Sequence, residues 1–261
     1  MGGLAHQFPS WCTVGPCAMI GFRSLFMAYE FQSVLLNRVL SDNPTQILGQ
    51  LQANGQVVLI NPKGIVVGSD GSVSASAFTA STLNISDADF MAGNGRYSRE
   101  GSTGEVINRG RIQVAPGGYV ALLGARVSNE GQIVAPQGAV ALGAAETVTV
   151  PIGRTGKIKL ELSPSSINAS VVNQKGGLIV AEGGQVYMQA ASIPSALASI
   201  VHSGHIDTSA AQAGEVHLLA DGGRIRVDGG SDAQKTKFYT DLWHAHLGRR
   251  IISDVDHSYP D

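Results

Sequence analysis

"VINRGRIQVAPGGYVALLG", residues 106–124, is followed almost at once by "VSNEGQIVAPQGAVALGA", residues 127–144, and the two stretches repeat one another. Asn108, Gly110 and Ile112 return as Asn129, Gly131 and Ile133, 21 positions later. After a one-residue slip, Ala115-Pro116, Gly118, Val120 and Leu122 return as Ala135-Pro136, Gly138, Val140 and Leu142. A more distant copy is "VVNQKGGLIVAEGGQVYMQA", residues 171–190, where Ala181, Gly184, Val186 and Met188 stand for Ala115, Gly118, Val120 and Leu122. A fainter one spans residues 202–227. A unit of about 20 residues recurring three or four times is the signature of a stacked repeat.

Each unit reads as two or three strands of three to five residues, alternating apolar and polar, with Asn-x-Gly or Pro-x-Gly turns between them. Alternation implies one buried face, and strands this short cannot bury it alone. The units must therefore stack, with Ile112 over Ile133 and Val120 over Val140 in an inner column. The expected fold class is all-β, a single-stranded parallel β-helix (β-solenoid) with coils of about 20 residues. With roughly 4.8 Å between coils, residues 35–230 would form a rod on the order of 45 Å long. Asn108 and Asn129 fall at one corner, where side-chain amides can hydrogen-bond from coil to coil. An up-and-down barrel or a sandwich would also have regular strands and turns, but neither requires identical turn residues at a fixed period.

Composition agrees. Of 261 residues, 33 are Gly, 15% are charged and 6% are aromatic, against roughly 25% charged in an ordinary globular chain. Such a chain favours strands and tight turns over solvated helices. A net charge of −2 offers no electrostatic footprint for nucleic acid. Cys12 and Cys17 are the two cysteines, too few for a disulfide framework or a structural zinc site.

Several constellations suggest chemistry and then fall short of it. His202, His205 and Asp207, with His217 one strand later, have metal-ligand chemistry, yet His-x-x-His on a strand points its histidines to opposite faces. His244, His246, Asp254, Asp256 and His257 lie in a stretch without repeat context and read as an exposed tail. Asp87 and Asp89 could share a strand face as paired carboxylates. "GRTGK", residues 153–157, lacks the spacing and the Ser/Thr of a P-loop. No metal site, no cofactor and no catalytic set is expected.

One further stretch stands apart. "VVLINPKGIVVG", residues 57–68, sets two apolar strands on either side of Asn61-Pro62-Lys63-Gly64. Asparagine bonds its own backbone at the start of a turn, Pro62 presets φ near −65°, and Gly64 accepts a positive φ. From the residues alone this is a well-made corner. The longer run "NRVLSDNPTQILGQLQANGQVVLINPKGIVVG", continuing through "STLNISDADFMAGN" and later "GSTGEVINRGRIQVAPGGYVALLGARVSNEGQI", resembles the N-terminal secretion domain of filamentous haemagglutinin-type exoproteins of two-partner secretion systems. The resemblance covers about residues 34–230. The family's turn usually reads Asn-Pro-Asn-Gly, so Lys63 departs at the third place, and Val58 and Val67 stand where the family often has Phe.

The resemblance implies a secreted, right-handed parallel β-helix that directs export and is not an enzyme. It implies passage of the inner membrane by a separate leader, then engagement of the periplasmic modules of a dedicated outer-membrane transporter. Export without nucleotide to the medium or the bacterial surface follows, the chain coiling progressively outside. By resemblance the recognition residues are Asn54, Asn61, Pro62, Lys63, Gly64 and Ile65; as residues they also simply shape the corner. The domain would occupy residues 33–233. Residues 1–32 and 234–261 depart from the Gly/Val/Ala texture and are expected to be atypical segments, as in a truncated or frame-disrupted fragment.

Three functional classes follow. The first is the secretion domain of a haemagglutinin-like adhesin, with host or neighbour-cell surface ligands for the whole protein. The second is the same domain in front of a contact-dependent growth-inhibition toxin. The third, a polysaccharide-active β-helix enzyme, needs a groove lined by acidic and basic residues across several coils.

Overall fold

In the computed structural model the described residues are 33–150, 160–193, 196–212 and 214–228, with the short strands Met19–Ile20 and Ser24–Phe26 ahead of them. Among these residues the chain winds into three parallel sheets of eight, seven and seven strands. Each full coil gives one strand to each sheet. Sheet 1 includes Thr45–Ile47, Ile65–Val67, Glu105–Asn108, Arg126–Asn129, Ala169–Asn173, Ala198–His202 and Gly223–Val227. Sheet 2 includes Gln50–Ala53, Ser72–Ala75, Arg111–Val114, Gln132–Val134, Leu178–Val180 and His205–Asp207. Sheet 3 runs from Val34–Arg38 through Gln56–Ile60, Ala77–Ser81, Tyr119–Gly124, Ala139–Ala144 and Gln185–Ala191 to Glu215–Asp221. The molecule is a parallel β-helix.

The expected register holds. Ile112 pairs with Ile133 and Val120 with Val140; the distant copy follows, Val140 with Val186 and Leu142 with Met188. The faint fourth copy is also real, since Leu178 pairs with His205 and Val186 with Val216. Ile112, Ile133, Val120, Val140, Val186, Leu142 and Met188, with Ile65, Val73, Phe78, Val106, Val127 and Val171, form one continuous dry core between the three sheets. Each fully buried aliphatic side chain contributes about 1.5–3 kcal/mol. Glycines mark one corner of the column because nothing larger fits. A Cβ on Gly110 would overlap the Gly71 carbonyl, and one on Gly131 the Gly110 carbonyl.

Two sequence expectations are corrected. The rod is shorter than 45 Å: sheet 3 has seven strands, so its ends are about 29 Å apart at roughly 4.8 Å per step. Part of the chain leaves the winding. It forms a fourth, antiparallel sheet of Asn84–Ile85, Arg96–Ser98, Thr147–Thr149 and Glu161–Ser163, which adds no coil. The strands of sheet 3 are also not alternating. Val57, Leu59, Phe78, Val120 and Leu122 face the inner core, while Val58, Ile60, Ala77, Tyr119, Ala121 and Leu123 face a second core shared with Leu83, Ile85, Phe90, Tyr97, Val148 and Leu160. A sheet covered on both faces reads as a continuous apolar run, which is what "VVLI" and "VALL" are.

A third correction concerns Asp87 and Asp89. They sit on a six-residue helix, Asp87–Ala92, rather than a strand. The Ser86 hydroxyl accepts from the Asp89 amide at 3.0 Å, and Gly93 closes the helix at φ 73°. The Ser-x-x-Asp pattern is a capping signal. Asp87 then meets Arg38 at 2.6 Å, and side-chain hydrogen bonds from Asn94 and Ser86 hold the Asp89 carboxyl below its ordinary range.

Candidate functional site

The Asn61–Gly64 turn joins a strand of sheet 3 to one of sheet 1. Its stability comes from the asparagine. The Asn61 side chain is fully buried; its Oδ1 accepts from the Lys63 amide at 2.9 Å, and its Nδ2 donates to the Asn43 carbonyl at 3.0 Å and to Thr45 Oγ1 at 2.9 Å. The Gly64 amide closes the turn on the Asn61 carbonyl at 3.0 Å. Gly64 sits at φ 130°, where a side chain is strained, and a Cβ there would also press on Pro44 and the Glu105 carbonyl. Ile65 is wholly inside the inner core.

The turn is one layer of three. Below it lies Asp42-Asn43-Pro44, placed by the pairing of Thr45 with Ile65. Above it, residues 99–104 turn through Glu100 and Gly101, both at positive φ, and the Ser102 hydroxyl donates to the Pro62 carbonyl at 2.6 Å. Pro62 and Lys63 remain exposed, and Lys63 Nζ reaches Asp42 Oδ1 at 3.4 Å. So Asn61, Pro62, Lys63, Gly64 and Ile65 are brought together, as expected of a turn. Asn54 is not among them: it is exposed on the turn between sheets 2 and 3, a different corner of the coil. Sequence reasoning missed Asn43, Thr45 and Ser102. The Asn43-Pro44 dipeptide repeats Asn61-Pro62 from the coil below and was the available signal; Ser102 offered none.

A second polar column runs through the inner core. Asn108 Nδ2 donates to Asn129 Oδ1 at 2.8 Å, and Asn129 Nδ2 to Asn173 Oδ1 at 2.8 Å. Asn173 Nδ2 then meets His202 Nδ1 at 3.2 Å. The expected amide ladder exists, one rung longer than the sequence suggested and ended by histidine. Burial, and then the charge of His205, lowers the His202 pKa from its ordinary value.

The histidine reading is otherwise corrected. His202 and His205 are not on one strand, because the chain turns between them at Gly204 and starts a strand of the next sheet. His217 stacks on Tyr187 with ring centroids 4.7 Å apart. Among the described residues no three His, Cys, Asp or Glu are grouped to hold a metal ion. Residues 153–157, both cysteines, and the cluster from His244 to His257 lie outside the described residues.

One shallow groove follows the glycine corner between sheets 1 and 2, lined by Ser69, Asp70, Arg109, Arg111 and Gln132. Asp70 is the one carboxylate lining it. Arg109 is paired with Glu130 at 3.1 Å, and Arg111 is held by Gln113 and Gln132. No described helix is long and apolar enough to cross a membrane.

Comparison with known proteins bears on the same fold. The family model of the TPS secretion domain matches residues 24–242. The chain is 31% identical to the heme/hemopexin-binding protein of Haemophilus influenzae over 156 residues, 57% of this chain and 17% of that protein. It is 28% identical to the tRNA nuclease CdiA-2 of Burkholderia pseudomallei over 229 residues, 82% of this chain and 6% of that protein. The crystal structure of the HMW1 secretion domain from Haemophilus influenzae superposes with a TM-score of 0.60 at 26% identity, covering 79% of this chain and 73% of that one. The chain thus spans a small part of the length of these curated relatives. A parallel β-helix that shares its winding with a solved secretion domain, and a family match across most of its length, give the conclusion that this chain belongs to the TPS secretion domain family of two-partner secretion exoproteins.

Proposed function

We propose that this chain directs the export of a haemagglutinin-like adhesin by presenting the Asn61–Gly64 corner to the periplasmic modules of a dedicated outer-membrane transporter. Exoproteins of this family are exported through the outer membrane, and the family implies a cognate transporter. The assignment of the contact to this corner rests chiefly on one observation. Asn61 fixes the turn through three side-chain bonds, so that Pro62 and Lys63 are held rigidly outward. Export, not chemistry, is the role: in this reading the domain has no catalytic set, and its secreted or cell-surface destination follows from the route.

The match to CdiA-2 over 82% of this chain favours a second reading, in which the same export domain precedes a growth-inhibition toxin. The two readings differ in what lies downstream, and sequencing that region distinguishes them. The export role itself is tested by placing residues 30–233 behind a working leader in cells that carry a family transporter. Protein should reach the medium with the native sequence and fall several-fold with Asn61→Ala. Retention of the native sequence, while a known secretion domain is exported by the same cells, overturns the reading.

A further inference from the structure

The corner divides its residues by accessibility, and the division assigns them different tasks. Asn61, Gly64 and Ile65 have no surface to offer: the first and last are fully buried, and the glycine is closed in by Pro44 and the Glu105 carbonyl. What reaches solvent is Pro62 and Lys63 from the turn itself, Asp42, Asn43 and Pro44 from the coil below, and Glu100, Gly101 and Thr103 from the loop above, where Glu100 accepts from Asn84. Any macromolecule docking here touches these side chains and not the asparagine beneath them. Asn61 is a positioning residue.

Within that surface one feature spans two coils. Lys63 Nζ and Asp42 Oδ1 lie 3.4 Å apart, with the Lys63 side chain 53% exposed and that of Asp42 98% exposed. A pair this open contributes little to folding, and nothing in the turn needs a lysine at its third position, whose side chain is not used by the Asn61 bonds. The charge is therefore free to serve an interface, where complementary charges set the choice of partner and the encounter rate more than the total affinity.

We infer that the Lys63–Asp42 pair is the determinant by which this corner selects its own transporter. This rests on the reading of the corner as the transporter contact. The occupant it fits is a periplasmic face of the transporter bearing an acidic group opposite Lys63 and a basic group opposite Asp42, with an apolar side chain set against Pro44 and Pro62. The two charges sit on successive coils, so the coil spacing fixes their separation and direction. A partner with the opposite polarity would meet like charges on both sides.

The test uses the full chain and the purified periplasmic region of its dedicated transporter. Binding is measured for the native protein, Lys63→Asn, Asp42→Asn and the exchanged double variant Lys63→Asp with Asp42→Lys, at low and physiological salt. Thermal midpoints are recorded for all. The single variants should melt with the native protein, bind on the order of 3- to 10-fold more weakly, and lose part of the salt dependence; the exchanged variant should bind worst. Unchanged affinity and unchanged salt dependence in all three, while Asn61→Ala abolishes binding, overturn the inference and leave the export reading standing. A native protein that does not bind the transporter at all overturns the export reading and the inference with it. A transporter whose own substrates carry Asn-Pro-Asn-Gly should prefer Lys63→Asn over the native chain, and the reverse preference would count against the pair as selector.

Discussion

Asn129 Nδ2 donates to Asn173 Oδ1 at 2.8 Å across 44 positions of sequence, both side chains being fully buried. That one bond requires both coils to be in register, so it reports on the whole stack. Removing the amide leaves the buried Oδ1 of Asn173 without its donor and takes from Asn108 Nδ2 the shorter of its two acceptors, leaving it the Gln132 carbonyl at 3.3 Å. At about 1–3 kcal/mol for the unsatisfied oxygen, Asn129→Ala should lower the unfolding free energy by at least that much. Glu130→Ala, one residue on and paired only with exposed Arg109, should cost less than about 0.5 kcal/mol. Denaturant titration of the two variants checks both.

The ladder also has an unfinished end. Asn108 Oδ1 is buried with no partner, and the residue beside it on the coil below is Val67. Val67→Asn would add a rung in the existing direction, at the cost of apolar burial and of moving the orphan oxygen one coil down toward Ile47. Val106→Asn would bury a whole amide with no ladder to join. Val67→Asn should therefore be about 2 kcal/mol less destabilising than Val106→Asn, as read by unfolding in urea.

At the other end His202 takes the asparagine's place, and its proton becomes a stability term. Its folded pKa lies below the ordinary value of 6.5, by burial first and His205 second. The unfolded chain therefore binds the proton more readily, and the stabilisation present above pH 6.5 is lost as the pH falls from there through the folded pKa. Stability should decline on acidification through this window. His202→Asn, which keeps a donor and an acceptor in the column, should flatten that part of the profile. Thermal midpoints between pH 5 and 8 would show it; parallel profiles for the two proteins would refute it.

The fourth sheet is pinned by Arg99. This nearly buried guanidinium holds Glu146 Oε2 at 2.9 Å, the Ser102 carbonyl at 3.1 Å and Ser166 Oγ at 3.2 Å. With Glu146 partly exposed, its loss should cost about 1.5–3 kcal/mol. Arg99→Ala should raise amide exchange in residues 84–98, 147–149 and 161–163 while the amides of sheets 1 and 2 stay protected. Equal loss of protection everywhere would mean that the extra sheet is not a separable unit.

How much of this was legible depended on repetition. The inner core was readable because Ile112, Ile133 and Val140 recur at a fixed interval, and a recurring side chain identifies its own neighbour. Asn108 and Asn129 announced the ladder for the same reason. Tyr97, Leu83 and Val148 were not readable as a second core, since they occur once and their contacts are set by where two excursions happen to meet. The best signal was negative: four apolar residues in a row, as in Val57–Ile60, have no place on a sheet with one wet face. His202 escaped because the column is defined by hydrogen-bonding capacity, not residue type. At the Asn61–Gly64 corner the turn chemistry of Asn61 and Gly64 was plain, whereas the support from Asn43 and Ser102 crosses coils and depends on the register.

A plain solenoid is held only by nearest neighbours, and so melts in independent steps from either tip. Here Arg38, on the first strand of sheet 3, clasps the Ile85 carbonyl and Asp87 of the excursion, and Arg99 of that same excursion clasps Glu146 two windings further on. These straps bundle the early windings into one cooperative block. Among the described residues, no arginine ties the windings from Ala198 onward to that excursion. Heat should accordingly unravel this molecule in a fixed direction, its far tip loosening first and the end that carries Asn61 surrendering last.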